Sequence, residues 1–446
     1  MNHILIIGAG RSSSALINYL LHEAAANNWF ITVADSNLEL AKARVGGHPY
    51  GRAVWLDVAK NNDRKDLINR TNAVVSLLPA HLHLEIAHDC IKLQIPFITS
   101  SYVSNEMYRL GDEARDRELV FTGERGLDPG LEQMATKMRL DDIRGKGGII
   151  TAFRSYSGAL VAKEYLKDNP WKFKFTWNPR NLVLMGQGTA QYLANGKKKY
   201  IPYHRLFQSY QKIEIEGLGE FEAYANRDSL LNKKIYGLDG IPSILRATLR
   251  YPSFCDGWNA LIQIGLTDGA YPILDSEKMS FHEWMEAYLA DEPGGSVKER
   301  MANKLGLTPF SKTMKQLDWL GLFSKRRIKF SRATPALLLE TILLDKWALK
   351  PTDKDLVIMQ LEFDYTLNGK EETLISTMYL QGVNGIDTAV SKVVGLPISI
   401  LLKKVLQGTV TKMGMEVPMQ QAVYAPILAE MESHGVIFKD RIISTR

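Results

Sequence analysis

Cysteine is scarce in this chain. Two residues in 446, Cys90 and Cys255, are too few for a disulfide framework or a zinc cluster, and they read as buried thiols of a reducing compartment. Long hydrophobic runs are missing too. Nothing approaches the roughly 18 uninterrupted apolar residues of a membrane span, and the apolar stretch Ala336 to Leu344 carries Glu340 and Thr341. The amino-terminal apolar run is too short for a signal peptide and is interrupted at Gly8. Charge of one sign does not accumulate either. The net charge is +6, and the only basic clusters, such as Lys197-Lys198-Lys199 and Lys325-Arg326-Arg327, read as solvated faces rather than a nucleic-acid patch. There are no internal repeats, low-complexity tracts or metal-ligand spacings. These absences leave a cytoplasmic globular protein with no nucleic-acid, membrane or metal partner. Its 45% hydrophobic content supplies ample core for two or three domains. The mild positive balance suits an anionic small molecule.

What is present begins at the amino terminus. Ile4-Leu5-Ile6-Ile7 is a short apolar run, Gly8-Ala9-Gly10-Arg11-Ser12-Ser13 follows it, and a helical period starts at Ala15 and Leu16. Strand, glycine turn and helix are the order that sets a pyrophosphate on a helix N-terminus. Gly8 permits the tight turn and Gly10 lets backbone approach phosphate, but the third position of the fingerprint is Ser13, so the turn alone is a weak signal. Five further apolar runs, at 30–34, 52–56, 73–78, 96–99 and 119–122, alternate with helical stretches up to residue 125. The pattern predicts an α/β chain with an N-terminal Rossmann-type, doubly wound parallel sheet. Asp35 ends the second strand, where an acid accepts hydrogen bonds from the adenosine ribose and repels a 2′-phosphate, favouring NAD with NADP possible. Its bland alternative is a helix N-cap, a role Ser36 or Asn37 also fits. Asp57 and Val58 follow the third strand at the adenine edge, with an N-cap again the alternative for Asp57. Leu77 and Leu78 end the fourth strand on the nicotinamide side.

After residue 125 the pattern changes. Residues 126–387 read as an α+β domain with a mixed or antiparallel sheet, containing a mainly helical part at about 255–350, and the helices from about 388 to 446 are expected to pack back on the first domain. Trp171, Phe173, Phe175 and Trp177 alternate and read as a strand face. Proline 397 divides the apolar 388–406 stretch into two helical pieces. His81 and His83 read as loop or helix-start residues.

Several segments carry a resemblance: Val75-Ser76-Leu77-Leu78-Pro79, Thr99-Ser100-Ser101-Tyr102-Val103-Ser104, Glu124-Arg125-Gly126-Leu127-Asp128-Pro129-Gly130, Ala225-Asn226-Arg227-Asp228-Ser229 and Ala247-Thr248-Leu249-Arg250-Tyr251, of which 126–130, 226–229 and 248–251 are specific. On them the chain resembles the saccharopine dehydrogenase (L-glutamate-forming), or saccharopine reductase, family over nearly its whole length. The resemblance implies hydride transfer at the C–N bond that joins glutamate to 2-aminoadipate 6-semialdehyde in lysine metabolism, and a homodimer whose second domain binds substrate and dimerises. By position it places Gly8, Gly10, Arg11, Ser12, Ser13, Asp35, Ser36, Asp57, Val58, Leu77, Leu78, Ser101, Tyr102, Val103, Leu127, Asp128, Pro129 and Trp177 at the cofactor. It places Ser101, Tyr102, Asp128, Arg227, Thr248, Leu249 and Arg250 at the substrate. Asp128 is the catalytic candidate, able to hold the ammonium or relay a proton, although a turn role alone would explain it. A substrate with three carboxylates asks for planar, bidentate cations, and Arg227 and Arg250 match; a surface pair with Asp228 and a core arginine are the bland alternatives. One departure is Ser157, where many relatives carry cysteine. The rivals are a related C–N reductase of the carboxynorspermidine or lysine 6-dehydrogenase type, and a non-catalytic dinucleotide-binding sensor. A polyamine substrate would want acids where this chain has the two arginines.

Overall fold

A computed structural model describes residues 1–444 apart from 102, 186, 290–292, 412 and 416–418. From the amino end, β1 (Asn2–Ile7), α1 (Ser14–Asn27), β2 (Trp29–Asp35), α2 (Leu38–Val45), β3 (Gly51–Trp55), α3 (Asn61–Ile68), β4 (Ala73–Ser76), α4 (His83–Lys92), β5 (Phe97–Thr99), α5 (Asn105–Asp116) and β6 (Phe121–Thr122) alternate throughout. Then come α6 (Leu131–Gly145), β7 (Ile149–Val161), α7 (Pro179–Val183), β8 (Ala190–Ala194), β9 (Lys197–Ile201), α8 (Tyr203–Leu206), β10 (Gln211–Ile215), β11 (Gly219–Ala225), α9 (Leu231–Ile235) and β12 (Ser243–Arg250). The remainder is α10 (Phe254–Ile264), β13 (Ile273–Leu274), α11 (Phe281–Ala287), α12 (Val297–Lys304), α13 (Lys312–Leu320), β14 (Arg332–Ala333), α14 (Pro335–Lys346), β15 (Asp355–Leu367), β16 (Lys370–Gln381), α15 (Ala389–Leu406), α16 (Gln421–Ser433) and β17 (Lys439–Ser444). The chain divides into two compact units: Met1–Ile150 with Lys234–Leu238 and Met359–Arg446, and Thr151–Lys233 with Asp239–Ile358.

The first unit holds a six-stranded parallel sheet in the order β3-β2-β1-β4-β5-β6. β1 is flanked by β2 on one side (Ile4 opposite Ile31) and β4 on the other (Ile4 opposite Ala73). Its run Ile4 to Ile7 is buried, as a strand covered on both faces requires. The strand order reverses at β1, so the crevice at its carboxyl end, where Gly8 lies, is the topological switch point at which such sheets bind ligands. The unit runs past residue 125 because α6 is tied to C-terminal elements. Tyr424 of α16 donates to Asp141 at 2.6 Å, and Arg139 donates to Ser376 of β16 at 2.8 Å and to Asp440 of β17 at 3.0 Å. α15 lies against α1 so closely that a Cβ on Gly395 would stand 2.6 Å from the Leu16 nitrogen. That packing corrects the expected break at Pro397: α15 is one helix through the proline, and burial against α1 outweighs the hydrogen bond that Pro397 cannot donate.

In the second unit the strands run in the order β10-β11-β12-β7, with β12 antiparallel to β11 and parallel to β7, and β8 pairing β9 and β12. The helical part, α10 to α14, closes on a core that includes Trp171, Trp258, Trp284 and Trp347. Residues 171–177 form no strand, which corrects the alternation reading. Trp171, Phe173 and Phe175 are buried together against Phe254 and Trp347, with ring centres as close as 5.0 Å. The alternation reflects an extended loop laid into an aromatic core, not a sheet face. Among the described residues, no helix is long and apolar enough to cross a membrane, and no group of acids, histidines and cysteines has the spacing of a metal site.

Candidate active site

The turn after β1 has the geometry its glycines predict. Gly8 sits at φ +109°, and a Cβ there would stand 3.3 Å from the Leu77 carbonyl, so both the dihedral and the close approach of the two loops need glycine. A Cβ on Gly10 would meet no atom within 4 Å. The protein itself leaves that space open at the start of a helix whose first N–H groups have no intrahelical partner, which is the cradle a pyrophosphate fits. Arg11, Ser12 and Ser13 make a 3₁₀ turn into α1. Ser13 neither caps α1 nor faces outward: it is buried, and its hydroxyl donates to the Gly10 carbonyl at 2.8 Å. It braces the turn from inside.

Asp35 is not the N-cap of α2, because Asn37 is, accepting from Leu40. The Asp35 carboxylate instead accepts from the Ala9 N–H at 2.7 Å and from the Asn37 N–H at 2.8 Å, with Ser36 between. It ties β2 to the glycine turn and holds a negative charge there. Arg44 of α2 reaches the same turn, donating to the Ala9 and Gly10 carbonyls at 3.2 Å each. Asp57 accepts from the Ala59 N–H at 3.1 Å and does not cap α3, whose N-cap is Lys60; Val58 gives its carbonyl to Arg64. Leu77 and Leu78 follow β4 directly, the Leu77 N–H bonding Ile7 of β1 at 2.9 Å.

The loop after β5 is stitched at two points. The Val103 N–H donates to Glu124 at 3.2 Å, and the Glu124 N–H donates to the Ser101 carbonyl at 3.0 Å. The Ser101 hydroxyl lies 2.8 Å from His83 Nε2. Tyr102 lies outside the described residues. Leu127, Asp128 and Pro129 form the tight turn into α6, where a Cβ on Gly130 would overlap the Gly126 backbone. Residue-type patterns assign no site role to His83 or Glu124. Both act through contacts 18 and 21 residues away in sequence.

The substrate candidates of the second unit gather on β11, β12 and the segment that follows β11. Arg250 ends β12 opposite Glu222, and Ala247 lies opposite Ala225. Continued two residues, that register sets Arg227 level with Leu245, five residues from Arg250 or roughly 17 Å of strand. Arg227 is exposed and left-handed (φ +49°), in a segment held by Gln191: the Gln191 N–H donates to the Arg227 carbonyl at 2.8 Å and its side chain to Asp228 at 2.5 Å. Ser229 Oγ accepts from the Arg246 N–H at 2.9 Å. Arg250 is buried, its guanidinium carbon 5.3 Å from the ring centres of Phe173 and Phe254 and 5.7 Å from that of Tyr224. It donates to Leu249 O (2.9 Å) and to Met185 Sδ (3.5 Å); among the described residues Nε has no partner and no carboxylate pairs with the guanidinium. Burial raises the pKa of the neighbouring Tyr224 hydroxyl, and the Arg250 charge opposes the rise. The Leu249 side chain is core, in one cluster with Tyr156 and Leu160, and is not presented to a ligand. Thr248 lies half-buried, level with Ser157 of β7, and Trp177 packs half-buried on the aromatic core.

Residues 4–121 match the family model described as Saccharopine dehydrogenase NADP binding domain, and residues 126–436 match Saccharopine dehydrogenase C-terminal domain. The chain belongs to the saccharopine dehydrogenase family. Its first domain is accordingly a nicotinamide-dinucleotide-binding domain. Over 99% of its length the chain is 29% identical to saccharopine dehydrogenase [NADP(+), L-glutamate-forming] of Pyricularia oryzae, covering 99% of that protein. It is 28% identical to the mitochondrial alpha-aminoadipic semialdehyde synthase of Mus musculus, of which it spans 47%, about half the length of these mammalian relatives. The apo saccharopine dehydrogenase (L-Glu forming) of Saccharomyces cerevisiae superposes on it with a TM-score of 0.89 at 27% identity, over 99% of this chain and 100% of that one.

Proposed function

We propose that the chain is a nicotinamide-dependent saccharopine dehydrogenase of the L-glutamate-forming kind. The observation that carries this reading is Arg250, a buried cation whose Nε has no hydrogen-bond partner, and which no carboxylate pairs with, among the described residues. A buried unpaired charge is costly and is resolved by an anionic ligand. The family supplies a ligand with three carboxylates, and Arg227, five residues away in register, suits a second of them. Asp128 holds the secondary ammonium or takes its proton. A nicotinamide held there would supply the acceptor for the hydride, two electrons with one proton, that leaves the amine-bearing carbon on the aminoadipate side. The substrate nitrogen loses its proton, and the C=N bond so formed adds water and splits into glutamate and aminoadipate semialdehyde. Gly8, Gly10 and the start of α1 would hold the pyrophosphate, and Leu77, Leu78, Ser101, Val103, Leu127 and Pro129 would line the nicotinamide half.

For the choice of dinucleotide, the Asp35 carboxylate at the end of β2 supports NAD. Arg44, whose Nη1 is unengaged among the described residues, together with the names of the fungal relatives, supports NADP. The test is the near-ultraviolet absorbance of reduced nicotinamide when saccharopine is added with either dinucleotide. No change with both sinks the proposal, and the ratio of kcat/KM values assigns the cofactor. A reducing, cytoplasmic compartment fits the two buried free thiols. A homodimer is the assembly the family suggests, and light scattering tests it.

A further inference from the structure

One buried histidine is unused by that chemistry. His83 opens α4 and is 2% exposed, with four polar contacts around its ring and its neighbours. Nδ1 lies 2.9 Å from Ser76 Oγ, Nε2 lies 2.8 Å from Ser101 Oγ and 3.1 Å from Thr99 Oγ1, and Thr99 Oγ1 also accepts from the Ser101 N–H at 3.3 Å. Burial, with a smaller contribution from His81, pushes the pKa of His83 down to about 4. At neutral pH the ring therefore carries one hydrogen, and its two nitrogens have opposite roles.

The hydrogens can be counted. If Nδ1 carried the proton, it would donate to Ser76, and the Ser76 hydroxyl hydrogen would have no acceptor. Ser76 is fully buried and has no other side-chain partner among the described residues. Ser101 would then have to donate inward to Nε2, leaving Thr99 without an acceptor as well. If Nε2 carries the proton, Ser76 donates to Nδ1, and Nε2–H donates to Ser101 Oγ and, more weakly, to Thr99 Oγ1. The hydroxyl hydrogens of Thr99 and Ser101 are then left over, and Ser101, being half-buried, can point its own out of the cluster, which fully buried Ser76 cannot do. Thr99 lines a cavity of about 310 Å³ beside His83, Ser104 and Glu106, roomy and polar enough for water, whereas Ser76 does not line it. A buried hydroxyl without an acceptor keeps its full desolvation penalty, so the second arrangement wins.

We infer that His83 is a positioning residue which holds the half-buried Ser101 hydroxyl as an inward acceptor and thereby makes it an outward hydrogen-bond donor. Ser101 then selects a ligand atom that only accepts, an sp² oxygen. A substrate carboxylate and the nicotinamide carboxamide both carry one. The ligand role of Ser101 rests on the proposed function; the direction of its hydrogen bond does not.

Two experiments separate these. In the full-length, unliganded protein with ¹⁵N-labelled histidine, long-range proton–nitrogen spectra between pH 6 and 8 should show His83 as a single neutral Nε2–H form. An Nδ1–H form or a titrating ring overturns the inference, whatever the enzyme turns over. In kinetics, His83→Phe should lower kcat/KM for saccharopine at least about tenfold, the worth of one hydrogen bond to a charged acceptor. His83→Gln, which keeps a donor near Nε2, should restore most of that loss. Both effects should shrink below twofold in a Ser101→Ala background. Equal losses with and without Ser101 would show that His83 merely supports the fold. A loss confined to saccharopine KM and kcat assigns the carboxylate, and a loss in dinucleotide Kd assigns the carboxamide. If wild type leaves saccharopine untouched while the Nε2–H form is seen, the proposed substrate falls and the orientation of Ser101 stands.

Discussion

Arg64 in the first unit and Arg250 in the second are equally buried, each 3% exposed, and their surroundings differ completely. Arg64 Nε donates to Asp89 at 2.6 Å, and its other nitrogens reach the Val58 carbonyl and Asn61, so charge and donors are answered locally. Arg250 has three aromatic rings, a thioether and a carbonyl, and among the described residues no acid within ion-pair distance, Glu222 opposite it being engaged with the Ser253 and Cys255 N–H groups. The rings stabilise a cation without neutralising it. The first arrangement is complete without a ligand, and the second leaves its charge unpaired among the described residues. Charge complementarity thus distinguishes two arginines that burial does not, and it is the ground on which a binding role is proposed for Arg250.

The largest effect expected from breaking this contrast is in the paired site. Asp89→Ala strands the Arg64 charge and should cost about 3–5 kcal/mol in denaturant unfolding. Arg250→Met should leave stability unchanged or higher while lowering kcat/KM for saccharopine about a hundredfold, as loss of a bidentate charged contact does. Lost stability with retained turnover would make Arg250 structural after all. Saccharopine at about a hundred times its Kd should add about 2.7 kcal/mol to wild type and nearly nothing to Arg250→Met, read as a shift in melting temperature. In the first unit, Gly8→Ala should cost about 1–3 kcal/mol and weaken dinucleotide binding, because its φ and its approach to Leu77 both resist a side chain.

The smallest effect is the pH response. His83 has a folded pKa lowered to about 4 from 6.5, so between these values the unfolded chain binds the extra proton and stability rises with pH. Its contribution is complete above about pH 6.5 and is lost as pH falls toward 4, at no more than about 1.4 kcal/mol per pH unit. His83→Gln should flatten that slope.

Local pattern carried much of the fold. The six parallel strands were legible because buried runs such as Ile4–Ile7 and Ala73–Ser76 alternate with helical periods, and Gly8 was legible because its dihedral admits little else. The reading failed where packing overruled pattern. Trp171 to Trp177 alternate like a strand yet line an aromatic core as loop, and Pro397 stays inside α15 because Gly395 lets that helix settle on α1. The site divides in the same way. Arg227 and Arg250 could be named from their flanking residues, but whether Arg250 already had a partner could not, since a carboxylate at any distance in sequence could have supplied one. His83 looked like a helix-start residue because Ser76, Thr99 and Ser101 meet its ring only when β4, β5 and α4 are packed.

By itself, then, the sequence determined what depends on neighbours along the chain: strand and helix alternation, the glycine turn and the family to which its segments belong. Tertiary structure decided what depends on neighbours in space. It answered one buried arginine and left the other open, turned Ser13 inward, and gave the Ser101 hydroxyl its direction. The physical reason is that conformational preference is local, whereas desolvation and hydrogen-bond satisfaction are settled by whatever the fold brings within about 3 Å.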